Sequence, residues 1–164
     1  FQYDGIVRER ILYYKFNEKS YLYKTFVNFL LKQQKVFEKI KEYDIIVPVP
    51  ISRKRKRERG YNQSLLVARE ISRQLRKYAN KDLQLVTTSL YKIKNTIEQS
   101  KLNKEDREKN AQGVYELKNR QILKNKNVLL FDDIYTTGNT ANSCCGEIKK
   151  AEPNNIGVLV LAKD

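Results

Sequence analysis

The segment that most constrains the fold is the run VLLFDDIYTTGNT, which occupies residues 128–140. Its four apolar residues predict a buried strand that delivers two carboxylates, Asp132 and Asp133, at its carboxyl end. A hydroxyl- and glycine-rich loop follows and consists of Thr136, Thr137, Gly138, Asn139 and Thr140. A helix is predicted from Gly138 to Ala151. A strand that leads through a short loop into a helix is typical of a parallel α/β sheet.

The rest of the chain alternates between strand and helix patterns in the same way. The apolar run at 44–50 predicts a second buried strand that ends in a loop, and Asn62 is a predicted cap of a helix ending near Asn80. Further strands are predicted at about 83–87, 114–117 and 156–162. Residues 1–43 show helical spacing and predict two amphipathic helices, broken near 17–20 with Ser20 as a cap. We therefore expect one α/β domain over 1–164, with a helical lead-in at 1–43 and a sheet core at 44–164.

Composition excludes several classes of protein. The 164 residues are 40% hydrophobic, which favours a single globular domain over a disordered chain. The apolar runs are far shorter than the ~20 residues of a membrane helix, so no membrane insertion is expected. The two cysteines, Cys144 and Cys145, are adjacent, which disfavours a disulfide. We expect them to pack on a helix in a reducing, cytoplasmic compartment.

Charge and the absence of histidine restrict the chemistry. The net charge is +14 and the chain contains no histidine. Serine–histidine and cysteine–histidine catalytic pairs and HExxH zinc sites are therefore excluded. An excess of positive charge attracts nucleic acid, anionic lipid or a multiply phosphorylated small molecule, although a solubilising lysine-rich surface would show the same balance.

The run at 128–140 has the groups that a ribose 5-phosphate requires. Asp132 and Asp133 can accept hydrogen bonds from a sugar diol, while the hydroxyls and backbone N–H groups of 136–140 can hold a phosphate at a helix start. A Walker B strand is a weaker interpretation, because no GxxxxGK[ST] motif precedes it. A response-regulator pocket opens its domain, whereas only 31 residues follow Asp133. Simple helix capping is the remaining alternative.

Three motifs together resemble the ComF/GntX family of type I phosphoribosyltransferases. The first is the run at 128–140, which is similar to the binding motif for phosphoribosyl pyrophosphate (PRPP). The second is IVPVPISRKRKRERGYNQ at 46–63, and the third is TIEQSKL at 96–102 with Arg107, Asn110 and Gly113. The family begins with a four-cysteine zinc-binding segment that this chain lacks, and we expect that it has been removed by truncation. The family also often has Arg where this chain has Lys92 and Lys94.

The resemblance implies a PRPP site with Mg²⁺ as the cofactor. Asp132 and Asp133 would bind the ribose hydroxyls and stabilise positive charge on the ring. The loop at 136–140 would hold the 5-phosphate. In the loop after Pro50, the expected pyrophosphate contacts are Ser52, Arg53 and Lys54. The segment 92–112 is expected to form a flexible lid that includes Lys94, Thr96 and Gln99.

The acceptor and the cellular role remain open at this stage. The N-terminal helices could form a hood, with Tyr3, Tyr13, Tyr14 and Phe16 as stacking groups, although ordinary helix packing explains these side chains equally well.

The family implies a link to natural competence, with single-stranded DNA and competence proteins as partners; Arg57 and Arg59 could face solvent or nucleic acid. Three hypotheses follow: a PRPP-dependent transferase, a DNA-handling accessory that binds PRPP without catalysis, or a sequence-independent nucleic-acid binder.

Overall fold

The computed structural model of the chain describes Gln2 and residues 4–16, 21–94 and 113–164. Helices and strands alternate along most of it. The helices are α1 (Gly5–Phe16), α2 (Leu22–Lys32), α3 (Gln34–Lys41), α4 (Arg53–Arg59), α5 (Gln63–Ala79) and α6 (Asn139–Lys149). The strands are β1 (Ile45–Pro48), β2 (Gln84–Leu85), β3 (Leu90–Lys92), β4 (Tyr115–Leu117), β5 (Asn127–Tyr135) and β6 (Asn155–Lys163).

The main sheet has four parallel strands in the order β2-β1-β5-β6. The two central strands are the two predicted buried ones, and their register places Ile46 beside Leu129 and Pro48 beside Phe131. β3 and β4 form a separate antiparallel pair. The α/β class and the parallel sheet predicted from the alternating pattern are thereby confirmed.

Apolar side chains cover both faces of the sheet, as expected when strands alternate with helices. On one face, Ile46, Leu129 and Phe131 pack in a cluster with side chains of α1, α2, α3 and α5. On the other face, Val47 and Leu130 pack with β3, β4 and α6. The central strands are thus held from both sides, which fixes the position of the loops at their carboxyl ends.

Local signals account for the helix boundaries. The Asn62 side chain accepts hydrogen bonds from the N–H groups of Ser64 and Leu65, at 3.0 and 3.4 Å, so it is the cap predicted for α5. That helix ends at Asn80, which adopts a left-handed conformation with φ 47°. Cys144 is buried on α6 and Cys145 lies partly buried beside it, both as free thiols, as expected for packing residues.

Four expectations need correction. The described part of the N-terminal region forms three helices, because Gln33 is extended (φ −78°, ψ 102°) and separates α2 from α3. The basic segment after Ser52 is helix α4 and not a loop. Strand β5 continues through the two aspartates to Tyr135, and strand β3 was not predicted. The predicted break at 17–20, including Ser20, lies outside the described residues.

No helix in the described part of the chain is both long and apolar enough to cross a membrane.

Candidate functional site

A cavity of about 350 Å³ lies at the carboxyl ends of the two central strands. In open parallel sheets, ligands bind at this edge, and small-molecule sites have volumes of ~300–1,000 Å³. The strand β1 side contributes Val49, Pro50 and Ile51, and the strand β5 side contributes Asp132, Asp133 and Ile134. The remaining lining residues are Arg55, Arg59, Gln63, Ser64, Lys92, Tyr115, Thr136 and Thr140. We refer to this cavity as the strand-end pocket.

Both predicted aspartates line the strand-end pocket, and hydrogen bonds orient the first of them. Asp132 Oδ1 accepts the backbone N–H of Asp133 at 2.9 Å and the Ser64 hydroxyl at 3.4 Å. Because β5 is paired with β1 on one side and with β6 on the other, its backbone cannot shift easily. Both carboxylates thus line one cavity near the carboxyl end of β5, as the sequence led us to expect.

The predicted phosphate loop divides between two cavities. Thr136 and Thr140 line the strand-end pocket, and they also line a smaller adjoining cavity together with Thr137, Gly138 and Asn139. Gly138 has φ +78°, and a Cβ on it would lie 2.8 Å from Cζ of Tyr135. Only glycine meets both conditions, so the tight turn into α6 depends on that residue.

The basic segment supplies a different pair of side chains from the pair predicted. Ser52 caps α4, and its hydroxyl accepts the N–H of Arg55 at 3.3 Å. Because the segment is helical, only side chains one turn apart share a face, and Arg55 and Arg59 are the two that line the strand-end pocket. Arg53 and Lys54 are exposed and do not line it. The expectation for Arg53 and Lys54 assumed a loop; in the helix, Arg55 and Arg59 line the pocket instead.

Arg57 and Arg59, which were considered together, separate on the helix. Arg57 is exposed, whereas Arg59 is partly buried and donates from Nη1 to Gln63 Oε1 at 3.3 Å. Burial and the neighbouring charge of Arg55 lower the pKa of Arg59, while Asp133 opposes that change. Arg59 therefore belongs to the strand-end pocket, and Arg57 belongs to the solvent-facing surface of α4.

The antiparallel pair of β3 and β4 adds a third cation. Lys92 pairs with Tyr115 in the strand register, and its Nζ lies 5.6 Å from the centre of the Tyr115 ring. Burial, followed by the charge of Arg55, lowers the pKa of Lys92. The Tyr115 phenol is hydrogen-bonded to Thr140, and burial raises its pKa. Lys92 was expected in the lid, but it lies on strand β3 and lines the strand-end pocket.

The other predicted groups lie outside the described residues or away from the strand-end pocket. Thr96, Gln99, Arg107 and Asn110, with most of the expected lid, lie outside the described residues, as does Tyr3; the same holds for the side chain of Phe16. Lys94 is exposed and lies just beyond β3. Of the other aromatic groups, Tyr13 is on the surface and Tyr14 is fully buried. Neither lines the strand-end pocket.

Residues 61–164 match the family described as "Phosphoribosyl transferase domain". The chain belongs to the phosphoribosyltransferase family. It is 29% identical over 157 residues to Competence protein F of Haemophilus influenzae, an alignment that covers 92% of this chain and 65% of the relative. It is 28% identical over 141 residues to Competence protein ComFC of Bacillus subtilis, covering 85% of this chain and 52% of that relative. The resemblance to ComF-type phosphoribosyltransferases is thus confirmed, and the chain spans between about half and two thirds of these relatives.

Solved structures of the family also align with the chain. A purine phosphoribosyltransferase from Pyrococcus horikoshii superposes with a TM-score of 0.47 at 19% identity, over 85% of this chain and 71% of that one. An orotate phosphoribosyltransferase from Francisella tularensis superposes with a TM-score of 0.47 at 20% identity, over 84% of this chain and 50% of that one.

Proposed function

We propose that the strand-end pocket binds PRPP and that the chain transfers its phosphoribosyl group to an acceptor, releasing pyrophosphate. One observation carries this proposal. A single cavity is lined by two carboxylates at the end of β5, by two threonines of the loop and first turn that follow, and by three cationic side chains, Arg55, Arg59 and Lys92. These are the groups that a sugar diol, a phosphate and a pyrophosphate require.

The end of β5 and the start of α6 fit the ribose 5-phosphate part of the ligand. Asp132 and Asp133 are acceptors for the two ribose hydroxyls. Thr136 and Thr140 offer hydroxyl donors, and the left-handed turn at Gly138 leads the chain into the start of α6. The N–H groups of a helix's first turn have no partner within the helix, and they attract an anion.

The three cations fit the pyrophosphate part. Arg55 and Arg59 project into the pocket from one face of α4, and Lys92 lines it from strand β3. Guanidinium groups bind phosphate oxygens in pairs of hydrogen bonds, whereas a lysine ammonium acts as a point charge. Pyrophosphate gains negative charge as it leaves, so fixed cations stabilise the transition state more than the bound substrate.

In the proposed reaction, the bond between C1 of the ribose and the pyrophosphate oxygen breaks as a bond from the acceptor to C1 forms. The bonding electrons leave with pyrophosphate, and the ring gains positive character in between. The carboxylates of Asp132 and Asp133 line the cavity that would hold this ring, and their negative charge favours that state. An acceptor that is already a good nucleophile requires no further base.

Mg²⁺ is the expected cofactor, and the donor set fits a cation held mainly by its substrate. The described residues contain no group of three or more acidic, cysteine or histidine side chains that could enclose a metal. Mg²⁺ retains several waters and binds through one or two carboxylates together with substrate phosphates. Asp132 and Asp133 are the carboxylates that would assist. When bound, Mg²⁺ would neutralise charge on the leaving pyrophosphate.

We propose a role in DNA uptake, because both curated relatives are named as competence proteins. A net charge of +14 suits a protein that works near DNA. The two free thiols suit a reducing compartment such as the cytoplasm.

A second candidate is a DNA-handling accessory that binds PRPP without catalysis. The observation in its favour is the outer surface of α4, where four cationic side chains are exposed beside the pocket: Arg53, Lys54, Lys56 and Arg57. Such a cluster can track a phosphate backbone without reading sequence.

The decisive experiment is a titration with PRPP and Mg²⁺, monitored by calorimetry and thermal unfolding. Ligand at 100-fold above Kd is expected to stabilise the fold by about 2.7 kcal/mol. The Asp132→Asn/Asp133→Asn variant should lose this effect, whereas Asp82→Asn, an exposed carboxylate outside the pocket, should retain it. A wild type that shows neither heat nor stabilisation at millimolar PRPP would contradict the proposal. Pyrophosphate release in a screen of nucleobases and DNA then separates the transferase from the accessory.

A further inference from the structure

The start of α5 is attached to α1 by two hydrogen bonds between tyrosines and backbone carbonyls. The hydroxyl of Tyr14 donates to the backbone oxygen of Gln63 at 2.8 Å, in a fully buried contact. The hydroxyl of Tyr61 in turn donates to the backbone oxygen of Tyr14. Two segments that are 47–49 positions apart in sequence are therefore joined in both directions.

The same short stretch of chain also holds groups of the strand-end pocket. Gln63 Oε1 accepts from Arg59 Nη1 at 3.3 Å, and the hydroxyl of the next residue, Ser64, donates to Asp132 Oδ1 at 3.4 Å. One step earlier, Asn62 Nδ2 donates to the backbone oxygen of Val49 at 3.1 Å. The start of α5 thus contacts a cation, an anion and the β1 side of the pocket.

Tyr14 itself is held rigidly and lies outside the strand-end pocket. Its side chain has 0% exposure, and its ring packs against Phe26 with centroids 5.6 Å apart and against Tyr61 with centroids 5.9 Å apart. Because packing restrains its ring on both sides, its hydroxyl can hold the backbone carbonyl of Gln63 in one position. It does not line the pocket, whereas Gln63, whose backbone oxygen accepts its hydroxyl, does.

We propose that Tyr14 is a positioning residue that sets the place of the Arg59 guanidinium through Gln63. The docking of α1 and the affinity of the strand-end pocket for a pyrophosphate group are then coupled. This inference rests on the proposed function for its ligand, but not for its geometry. Interactions within one hydrogen-bonded chain of residues are expected to be non-additive, and that non-additivity is what a test can detect.

The first test compares Tyr14→Phe with Tyr43→Phe by calorimetric titration of PRPP with Mg²⁺. Tyr43 is a matched control, because it is buried, packs against Gly157 and does not line the pocket. We expect Tyr14→Phe to raise the Kd by about fivefold to tenfold, which is within the range of a coupled contact, and Tyr43→Phe to change it less than about twofold. Equal Kd values for wild type and Tyr14→Phe would overturn the proposal.

A double-mutant cycle then tests the route. In an Arg59→Ala background, Tyr14→Phe should change the Kd by less than about twofold, because the group that it positions is absent. If the fivefold to tenfold effect persists in that background, Tyr14 acts by loosening the fold in general, and the proposal is wrong.

A ligand-free measurement keeps this inference separate from the proposed function. The Arg59 Nε–H signal in a ¹⁵N-arginine spectrum reports the order of that guanidinium directly. We expect its heteronuclear NOE to fall in Tyr14→Phe and to stay at the wild-type value in Tyr43→Phe. An unchanged Arg59 signal in Tyr14→Phe overturns the inference whatever PRPP does. A wild type that fails to bind PRPP, with the Arg59 signal altered as expected, refutes the proposed function alone.

Discussion

Lys92 Nζ lies 5.6 Å from the centre of the Tyr115 ring, inside the pocket that also contains Asp132. Burial and the charge of Arg55 lower the pKa of this lysine. The consequence for binding has a definite sign. An anionic ligand favours protonated Lys92, so affinity is highest below the lowered pKa and falls as pH rises through it.

The first prediction therefore concerns pH. We expect the PRPP affinity of the wild type to fall over the alkaline pH range, and to do so at lower pH than an ordinary lysine would require. Lys92→Arg should remove this fall, because arginine stays protonated throughout. Calorimetric titration across that range is the measurement. Lys54→Arg, at an exposed position on α4, is the control and should keep the wild-type profile; if Lys92→Arg keeps it as well, Lys92 does not contact the ligand.

The second prediction compares two pairs of cations on one helix. Arg55→Gln/Arg59→Gln and Arg53→Gln/Lys54→Gln remove the same charge, but only the first pair lines the strand-end pocket. Hydrogen bonds to charged groups contribute ~1.5–3 kcal/mol each, so the first variant should weaken PRPP binding by about tenfold or more. The second should change the Kd less than about twofold at physiological salt. Similar losses in both variants would indicate a general electrostatic effect in place of specific contacts.

The third prediction concerns Gly138, whose φ of +78° and contact with Tyr135 exclude a larger residue. Gly138→Ala should reduce the free energy of unfolding by about 1–3 kcal/mol, because the strained turn must shift. Gly146 is a suitable control, since it lies inside α6, the helix that Gly138 precedes, and a Cβ there would meet no atom within 4 Å. Gly146→Ala should be neutral or stabilise by up to about 1 kcal/mol. Urea unfolding of both variants is the measurement. Equal free energies of unfolding for Gly138→Ala and Gly146→Ala would contradict the prediction.

The fourth prediction separates DNA binding from ligand binding. If single-stranded DNA contacts the outer surface of α4, its affinity should fall steeply with salt, with a slope of roughly 0.7 per phosphate contact. Lys56→Gln/Arg57→Gln should lower that slope by about one to two and leave the Kd for PRPP nearly unchanged. Fluorescence anisotropy with an unstructured oligonucleotide across a salt series is the measurement. A slope identical to that of the wild type would exclude this surface, and undetectable binding at low salt would exclude the accessory function.

The part of the site that could be predicted is the part encoded by local signals. The β5 strand, its two aspartates and the threonine loop are contiguous, and Asn62 caps α5 by accepting from the N–H group of Ser64, only two residues further along. The register of α4 could not be predicted, because a run of charged side chains has no apolar periodicity to show which face is inward. The structure resolves this by directing Arg55 and Arg59 to the pocket.

Lys92 was misplaced for a different reason. Its position depends on the pairing of β3 with β4, in which it lies beside Tyr115, and the intervening segment carries no pattern that predicts that pairing. A three-residue strand has too few positions for alternation to be recognised. Tyr14 likewise gives no sequence signal of its link to Gln63, since a buried tyrosine at helical spacing usually indicates only packing.

The pairing of Ile46 with Leu129 has a consequence for how the chain is made. The partners are 83 positions apart, and among the described residues the other neighbour of β1 is the two-residue strand β2. During synthesis, the apolar segment Ile45–Pro48 therefore stays without its main partner, β5, until most of the chain has left the ribosome. Contacts between residues this distant in sequence slow folding and prolong the lifetime of aggregation-prone intermediates. We expect the yield of native protein to depend on translation speed and chaperone supply more than on the final stability of the sheet.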